Sequence, residues 1–172
     1  MKKIVILGYM GSGKTTIAKL LSEKIKIQVL DLDKSIEERL NLSVKTIFET
    51  KGEIYFRKIE HQLFSELMAN NETMILSLGG GTPCYAGNHL LLNGEGVMSI
   101  YLKASIETLY KRLSKAQPNR PLLSALEKEE MQEFIAKHLF DRSYYYNQAT
   151  FKVAVDGKSA EEIVSEIETL LA

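Results

Sequence analysis

The sequence has 172 residues, of which 45% are apolar and 26% are charged, a composition typical of one globular domain with a complete hydrophobic core. Lysine plus arginine and aspartate plus glutamate both number 22, so the chain lacks the net charge that favours nucleic acid or an anionic membrane surface. Cys84 is the only cysteine, which excludes an internal disulfide and a zinc site built on cysteines. No apolar stretch is long enough to span a membrane, and the four apolar residues after Lys3 are too few for a secretory signal. We therefore expect a single-domain, monomeric, cytoplasmic protein that binds neither nucleic acid nor membranes.

Apolar runs alternate with amphipathic segments along the whole chain. Strands are predicted at the apolar runs, which are residues 2–7, 27–32, 73–78, 97–102 and 151–155. Helices are predicted where apolar residues recur at helical spacing, at residues 16–25, 34–40, 44–50, 53–68, 106–114, 127–146 and from Ser159 to the end of the chain. This alternation predicts the α/β class, with a mostly parallel sheet covered by helices on both faces.

The most specific motif lies between the first predicted strand and the first predicted helix. Residues 8–15 read GYMGSGKT and match GxxxxGKT, the phosphate-binding P-loop, in the strand–loop–helix setting that this motif needs. Gly11 and Gly13 allow backbone N–H groups to surround phosphate oxygens, and Lys14 adds a cation near the β- and γ-phosphates. The hydroxyl of Thr15 is a candidate ligand of Mg²⁺. The motif predicts nucleotide binding, but it is shared by kinases, GTPases and ATP-driven binding proteins.

Other motifs narrow the class. A GTPase is strongly disfavoured because no asparagine is followed by lysine, as NKxD requires, and no aspartate has glycine three residues later, as DxxG requires. The strand at 73–78 ends in Gly79, Gly80 and Gly81 where many P-loop ATPases carry a metal-supporting aspartate. Three glycines at the end of a strand are entropically costly, so we expect a ligand to approach their backbone closely.

Asp31 and Asp33 are the candidate acidic groups, because they end the second predicted strand at the edge of a parallel sheet where ligands bind. One could support the metal through water while the other orients or deprotonates an attacking hydroxyl. The alternative is that Asp33 merely caps a helix beginning at Lys34. The residues themselves leave both readings open.

Three arginines have a structural and a functional reading. Arg57 could simply pair with Glu53 or Glu60 on a helix, and Arg142 could be a solvated helix residue. Arg120 lies in a proline-bearing loop, at about residues 115–124, which is a natural position for a lid over the phosphates. An arginine there could neutralise charge on the transferred group.

Taken together, these motifs resemble the shikimate kinase family in order and spacing over nearly the whole chain. The resemblance rests on residues 8–15, Leu30-Asp31-Leu32-Asp33, Gly52-Glu53-x-x-Phe56-Arg57-x-x-Glu60, Leu78 to Gly81, Arg120-Pro121-Leu122-Leu123 and Arg142-x-x-x-Tyr146. It implies a single P-loop kinase domain over residues 1–172, a three-layer α/β/α fold with a five-stranded parallel sheet and a small lid. It also implies that ATP, with Mg²⁺, phosphorylates the 3-hydroxyl of shikimate to give shikimate 3-phosphate and ADP on the way to chorismate.

The resemblance assigns roles to matching positions. Lys14, Asp33 and Arg120 are the implied catalytic residues, with Asp33 as the base, and Thr15 and Asp31, the latter through water, are the implied magnesium residues. The implied shikimate-binding residues are Asp33, Arg57, Gly79, Gly80, Gly81 and Arg142. The implied ATP-binding residues are Gly11, Ser12, Gly13, Lys14, Thr15, Thr16, Arg112, Arg120 and Lys158.

Two rival functions differ in testable ways. Another small-molecule P-loop kinase, acting on gluconate or a nucleoside monophosphate, would share the fold and the lid, although a nucleotide acceptor favours more than the single arginine between residues 115 and 124. A nonenzymatic nucleotide-dependent binding protein would show no acceptor-dependent turnover.

The residues Thr82-Pro83-Cys84 and Tyr144-Tyr145-Tyr146 depart from the forms expected of the family.

Overall fold

The fold is described here from a computed structural model that covers residues 3–116 and 127–172. The strands are β1 (Lys3–Leu7), β2 (Val29–Asp31), β3 (Met74–Ser77), β4 (Val97–Lys103) and β5 (Phe151–Ala154). The α-helices are α1 (Lys14–Ile25), α2 (Leu32–Leu40), α3 (Val44–Ala69), α4 (Ile106–Lys115), α5 (Lys128–Tyr146) and α6 (Ala160–Leu171). Two short 3₁₀ segments, Thr82–Cys84 and Asn88–Asn93, follow the glycine triplet.

Within these residues the strands form one sheet in the order β2-β3-β1-β4-β5, and all neighbouring strands are parallel. The central strand β1 is buried along its whole length, as the apolar run that follows Lys3 predicts for the rest of the strand. The chain leaves β1 toward β2 on one side and leaves β3 toward β4 on the other. Right-handed crossovers in opposite directions place helices on opposite faces. The predicted α/β class and five-stranded parallel sheet are thereby confirmed.

This topology also determines where a ligand can bind. Because the connections after β1 and β3 run in opposite directions, the loops at the carboxyl ends of these two adjacent strands separate and leave a crevice. The loop after β1 is the P-loop motif, and the loop after β3 contains Gly79–Gly81. The two glycine-rich segments of the sequence therefore meet at one edge of the sheet.

Most helix boundaries lie within one residue of the predicted ones, and the exceptions are the starts of α1, at Lys14 rather than residue 16, and of α2 near the aspartates. Helix α2 begins at Leu32 rather than Lys34, and its N-cap is Asp31, whose Oδ1 accepts a hydrogen bond of 3.1 Å from the backbone N–H of Lys34. The alternative that Asp33 caps this helix is therefore wrong, because the helix begins two residues earlier than that reading required. The predicted break between residues 50 and 53 is confirmed by Gly52, which has φ 85° inside α3.

The predicted lid at about residues 115–124 lies outside the described residues from residue 117 onward, and Arg120 lies there too. In the part of the chain that is described, no helix combines the length and the apolar character needed to cross a membrane.

Candidate active site

The P-loop motif adopts the backbone that its glycines predict. Gly11 and Gly13 have φ of 83° and 100°, in the left-handed region that side-chain-bearing residues rarely adopt, and α1 starts directly after Gly13. Lys14 Nζ donates hydrogen bonds to the backbone carbonyls of Gly8 at 2.8 Å and Tyr9 at 3.0 Å. The lysine is therefore held across the loop, beside the positive end of α1, where an anion is favoured.

A cleft of about 580 Å³ opens in front of this loop. It brings together most of the residues that sequence analysis selected, from the P-loop, from the end of β2 and from the loop after β3. These are Gly11, Ser12, Gly13, Lys14, Thr15, Thr16, Asp31, Asp33, Gly79, Gly80, Arg112 and Lys158. Gly81, Arg57 and Arg142 lie next to these glycines and extend the site beyond the cleft.

Asp31 and Asp33 both line the cleft, although not for the predicted reason. Both were expected at the end of the second strand, but only Asp31 ends β2, whereas Asp33 lies in the first turn of α2. The pKa of Asp33 is raised to about 6, first by burial and then by the negative charges of Asp31 and Glu60, against the opposing effects of Lys14 and Arg57. A carboxylate with a pKa near neutrality is suited to accept a proton.

Each glycine of the triplet makes room for a different side chain. A Cβ added to Gly79 would lie 3.0 Å from Oδ1 of Asp33, one on Gly80 would lie 3.1 Å from Nη1 of Arg142, and one on Gly81 would lie 2.7 Å from Nη2 of Arg57. The Gly81 contact is closer than real Cβ atoms essentially ever show, and the contacts of Gly79 and Gly80 are tighter than nine in ten real ones. The glycines therefore let one carboxylate and two guanidinium groups gather around a single stretch of backbone.

Arg57 is ion-paired as its structural reading predicted, but the pairing is not that of a surface helix. Its Nη1 lies 2.9 Å from Oε1 of Glu60, whose side chain is 1% exposed, and its Nε lies 3.6 Å from Oε1 of Glu53. The ring of Tyr85 covers one face of the guanidinium, with the ring centroid 4.1 Å from Cζ. Arg57 is thus a fixed, mostly buried cation beside the cleft.

Arg142, on the last turns of α5, is half-buried rather than solvated. Its Nη1 lies 3.4 Å from the hydroxyl of Tyr146, which donates a hydrogen bond of 2.5 Å to the carbonyl of Gly80. The ring of Tyr9 lies 5.8 Å from its Cζ. Tyr146 therefore ties this arginine to the glycine triplet, and two cations face the same backbone.

Arg112 and Lys158 lie at the nucleotide end of the cleft. Arg112 Nη1 donates to the carbonyl of Gly11 at 3.0 Å, which fixes the guanidinium against the P-loop. Lys158 Nζ pairs with Glu166 at 2.6 Å at the rim.

Thr82, Tyr85 and Asn88 were not predicted from the sequence. Tyr85 contacts Arg57, Thr82 contacts its partner Glu60, and Asn88 contacts Thr82. The only local sign was that Thr82-Pro83 follows the glycines, and that sign does not say which side chain the hydroxyl contacts. Glu60, which the motif includes, accepts a hydrogen bond of 2.9 Å from Thr82, and this contact is not visible in helical spacing.

The P-loop at a switch point of a parallel sheet, with a carboxylate and two guanidinium groups across the cleft, defines a P-loop small-molecule kinase. The family model for shikimate kinase matches residues 10–172. The chain belongs to the shikimate kinase family.

Proteins that are similar to this chain in sequence or in structure support this family assignment. A shikimate kinase of Flavobacterium johnsoniae is 59% identical over 172 residues, covering 100% of both chains. A crystal structure of shikimate kinase from Bacteroides thetaiotaomicron superposes with a TM-score of 0.90 at 33% identity, covering 99% of this chain and 98% of that one. Shikimate kinase from Acinetobacter baumannii, solved in complex with shikimate, superposes with a TM-score of 0.86 at 28% identity, covering 99% and 93%. The predicted family and its activity are confirmed. This activity is the ATP-dependent phosphorylation of the 3-hydroxyl of shikimate to give shikimate 3-phosphate, a step of aromatic amino-acid biosynthesis.

Proposed function

We propose that Asp33, Arg57 and Arg142 bind shikimate and that the P-loop presents ATP to it across the cleft. The observation that carries this assignment is the glycine triplet, at which a carboxylate and two guanidinium groups converge. Shikimate carries one carboxylate and three ring hydroxyls, so it needs cationic forks at one end and a hydrogen-bond acceptor at the other.

At the acceptor end, Arg57 and Arg142 hold the carboxylate of shikimate against the backbone of Gly79, Gly80 and Gly81. Asp33 accepts hydrogen bonds from the ring hydroxyls and takes the proton of the 3-hydroxyl. The burial and the neighbouring negative charge that raise its pKa also raise its affinity for that proton.

At the nucleotide end, the backbones of Gly11, Ser12 and Gly13 surround the phosphates, and Thr16 supports them from the first turn of α1. Lys14 leaves its contacts with the loop carbonyls and interacts with the β- and γ-phosphates. Arg112 lies beside adenine, and Lys158 contacts the nucleotide at the rim. Arg120 closes over the phosphates as part of a lid at about residues 115–124, within a single P-loop kinase domain.

The donor set fits Mg²⁺. Thr15 supplies a hydroxyl to the metal, and Asp31, whose other oxygen caps α2, supports it through water. Among the described residues no three histidine, cysteine or acidic side chains cluster as a metal cage, which agrees with an ion held mainly by phosphates and water. When bound, Mg²⁺ neutralises charge on the phosphates.

The transfer itself needs only one proton acceptor from the protein. The oxygen of the 3-hydroxyl forms a bond to the γ-phosphorus as the bond from that phosphorus to the β,γ-bridging oxygen breaks. The proton passes to Asp33, and ADP leaves with the bridging oxygen. Lys14 and Arg120 stabilise the charge that spreads over the transferred group.

The first test is ADP release by the purified protein with ATP and Mg²⁺, comparing shikimate with gluconate, nucleoside monophosphates and no acceptor. We expect strong stimulation by shikimate alone. Stimulation by a different acceptor would retain the nucleotide assignments and overturn those of Asp33, Arg57 and Arg142. The monomeric state and the cytoplasmic location stay predictions, the first of which is tested by light scattering on the eluted protein.

A further inference from the structure

A chain of hydrogen bonds runs through the protein behind Arg57. Glu60 uses both carboxylate oxygens, since Oε1 pairs with Arg57 at 2.9 Å and Oε2 accepts from the hydroxyl of Thr82 at 2.9 Å. The carbonyl of Thr82 accepts from Nδ2 of Asn88 at 2.9 Å, and Oδ1 of Asn88 lies 2.6 Å from Nδ1 of His61. The chain thus connects a half-buried histidine of α3 with the guanidinium beside the cleft.

The middle of this chain is closed to water. The exposed fractions of Glu60, Thr82 and Asn88 are 1%, 0% and 0%. Because Asn88 donates through Nδ2 to the carbonyl of Thr82, its Oδ1 must accept, and His61 therefore carries a proton on Nδ1. Every hydrogen bond of the chain has a defined donor and acceptor. The carboxylate oxygen of Glu60 that does not contact Arg57 is therefore held by the hydroxyl of Thr82.

Tyr85, in the same short segment as Thr82 and Asn88, restricts Arg57 from its face. Its ring lies 4.1 Å from Cζ, while Glu60 and Glu53 lie beside Nη1 and Nε. Nη2 lies next to Gly81, and Nε, which is 3.6 Å from Glu53, has no hydrogen-bond partner among residues 3–116 and 127–172. The contacts therefore direct one edge of the guanidinium toward the glycine triplet.

We infer that segment 82–88 positions Arg57, with Thr82 and Asn88 acting through Glu60 and Tyr85 acting on the guanidinium face, and that this segment thereby sets the affinity for the carboxylate of shikimate. The inference rests on the proposed role of Arg57. None of the three residues touches the reacting atoms, so all three are positioning residues. A buried ion pair directs a ligand only where its geometry is fixed, and the segment supplies that constraint.

The decisive variant is Thr82→Val, which keeps the shape of the side chain and removes the hydroxyl. Loss of a hydrogen bond to a buried charged group leaves Oε2 of Glu60 without its donor, and we expect the KM for shikimate to rise roughly tenfold. The KM for ATP should stay unchanged and kcat should change much less. Thr82→Ser, which restores the hydroxyl, should recover most of the lost affinity.

A double-mutant cycle separates positioning from general damage to the fold. If Thr82 acts through Arg57, Thr82→Val should have little further effect on shikimate binding in an Arg57→Ala background. The methyl ester of shikimate, which lacks the negative charge, should discriminate little between Thr82→Val and the unsubstituted protein. Equal losses with the acid and the ester, or additive losses in the cycle, would overturn the inference.

Two further measurements distinguish a failure of this inference from a failure of the proposed role of Arg57 and from a variant that does not fold. If Arg57→Ala leaves the affinity for shikimate unchanged, the proposed function of Arg57 fails; if it weakens binding and Thr82→Val does not, only the present inference fails. Should Thr82→Val not fold, Tyr85→Leu at the more exposed end of the segment takes its place, with Tyr85→Phe as the conservative partner that keeps the ring. A raised KM for shikimate in Tyr85→Leu and a near-normal one in Tyr85→Phe is expected, whereas equal values in both would contradict the role of the ring.

Discussion

Gly81 and Arg57 lie so close that a single methyl group on the glycine would clash with the guanidinium. A Cβ there would be 2.7 Å from Nη2 and 2.9 Å from Nη1 of Arg57. The backbone of Gly81 has φ −93°, which alanine adopts readily. The glycine is therefore required by the neighbouring side chain and not by its own backbone conformation.

Gly81→Ala should raise the KM for shikimate by about tenfold or more. It should also lower the stability of the protein, because a displaced guanidinium loses its ion pair with the buried Glu60. Steady-state kinetics with each substrate varied in turn, together with thermal denaturation, check this. The matched control is Gly94→Ala, whose Cβ would lie 3.5 Å from Cγ2 of Val97, an ordinary contact. Unchanged shikimate affinity in Gly81→Ala would mean that Arg57 does not bind the acceptor in its present position.

Asp33→Asn keeps the size of the side chain and removes the proton acceptor. We expect kcat to fall by at least about a hundredfold, in the range of general-base losses, while nucleotide affinity measured by calorimetry stays within about twofold. Asp141→Asn, at an exposed position of α5, is the control and should behave as the unsubstituted protein. Normal turnover in Asp33→Asn would remove Asp33 from the mechanism.

The rate should depend on pH through the same carboxylate. With a pKa of about 6, Asp33 is protonated below that pH and cannot accept a proton, so kcat/KM for shikimate should fall on the acidic side of pH 6. Because the charge of Asp31 contributes to the raised pKa, Asp31→Asn should move this acidic limb to lower pH. Titration of ATP itself is the same for both proteins, so a limb that does not move would point to the nucleotide rather than to Asp33.

The raised pKa of Asp33 also makes the stability of the protein depend on pH. The folded protein holds this proton more tightly than the unfolded chain, whose carboxyl has a pKa of 3.8, so the contribution to stability is complete below pH 3.8 and is lost as the pH rises through about 6. Asp33→Asn should therefore be more stable than the unsubstituted protein above pH 6, by at most about 3 kcal/mol, and the gain should vanish near pH 4. Urea unfolding at several pH values measures it, and a pH-independent difference would contradict the shift.

The sequence predicted well those features that depend on neighbours along the chain. The P-loop needs glycines where the backbone takes left-handed φ, and Gly11 and Gly13 do so. The buried strand β1 and the start of the last helix at Ser159 likewise follow from a few consecutive residues. Because these patterns are local, the amino-acid sequence alone predicts the class of fold and the nucleotide site.

Asp31 and Asp33 show where the pattern of residues along the chain is no longer sufficient to predict the structure. Either aspartate could have capped a helix, and the choice depended on where β2 stops pairing with β3, namely at Asp31 opposite Ser77. That pairing joins residues more than forty positions apart, so no local pattern contains it.

For the arginines the sequence by itself determined the charge, and only the tertiary structure decided the environment. Arg57 has Glu53 and Glu60 at helical spacing, which fits a solvated surface pair equally well. What makes it a fixed cation is burial of Glu60 against Thr82 and the ring of Tyr85, and both contacts come from a segment that follows a different strand. The identity of a charged side chain is written in the chain, but its solvation and its direction depend on the residues that folding brings around it.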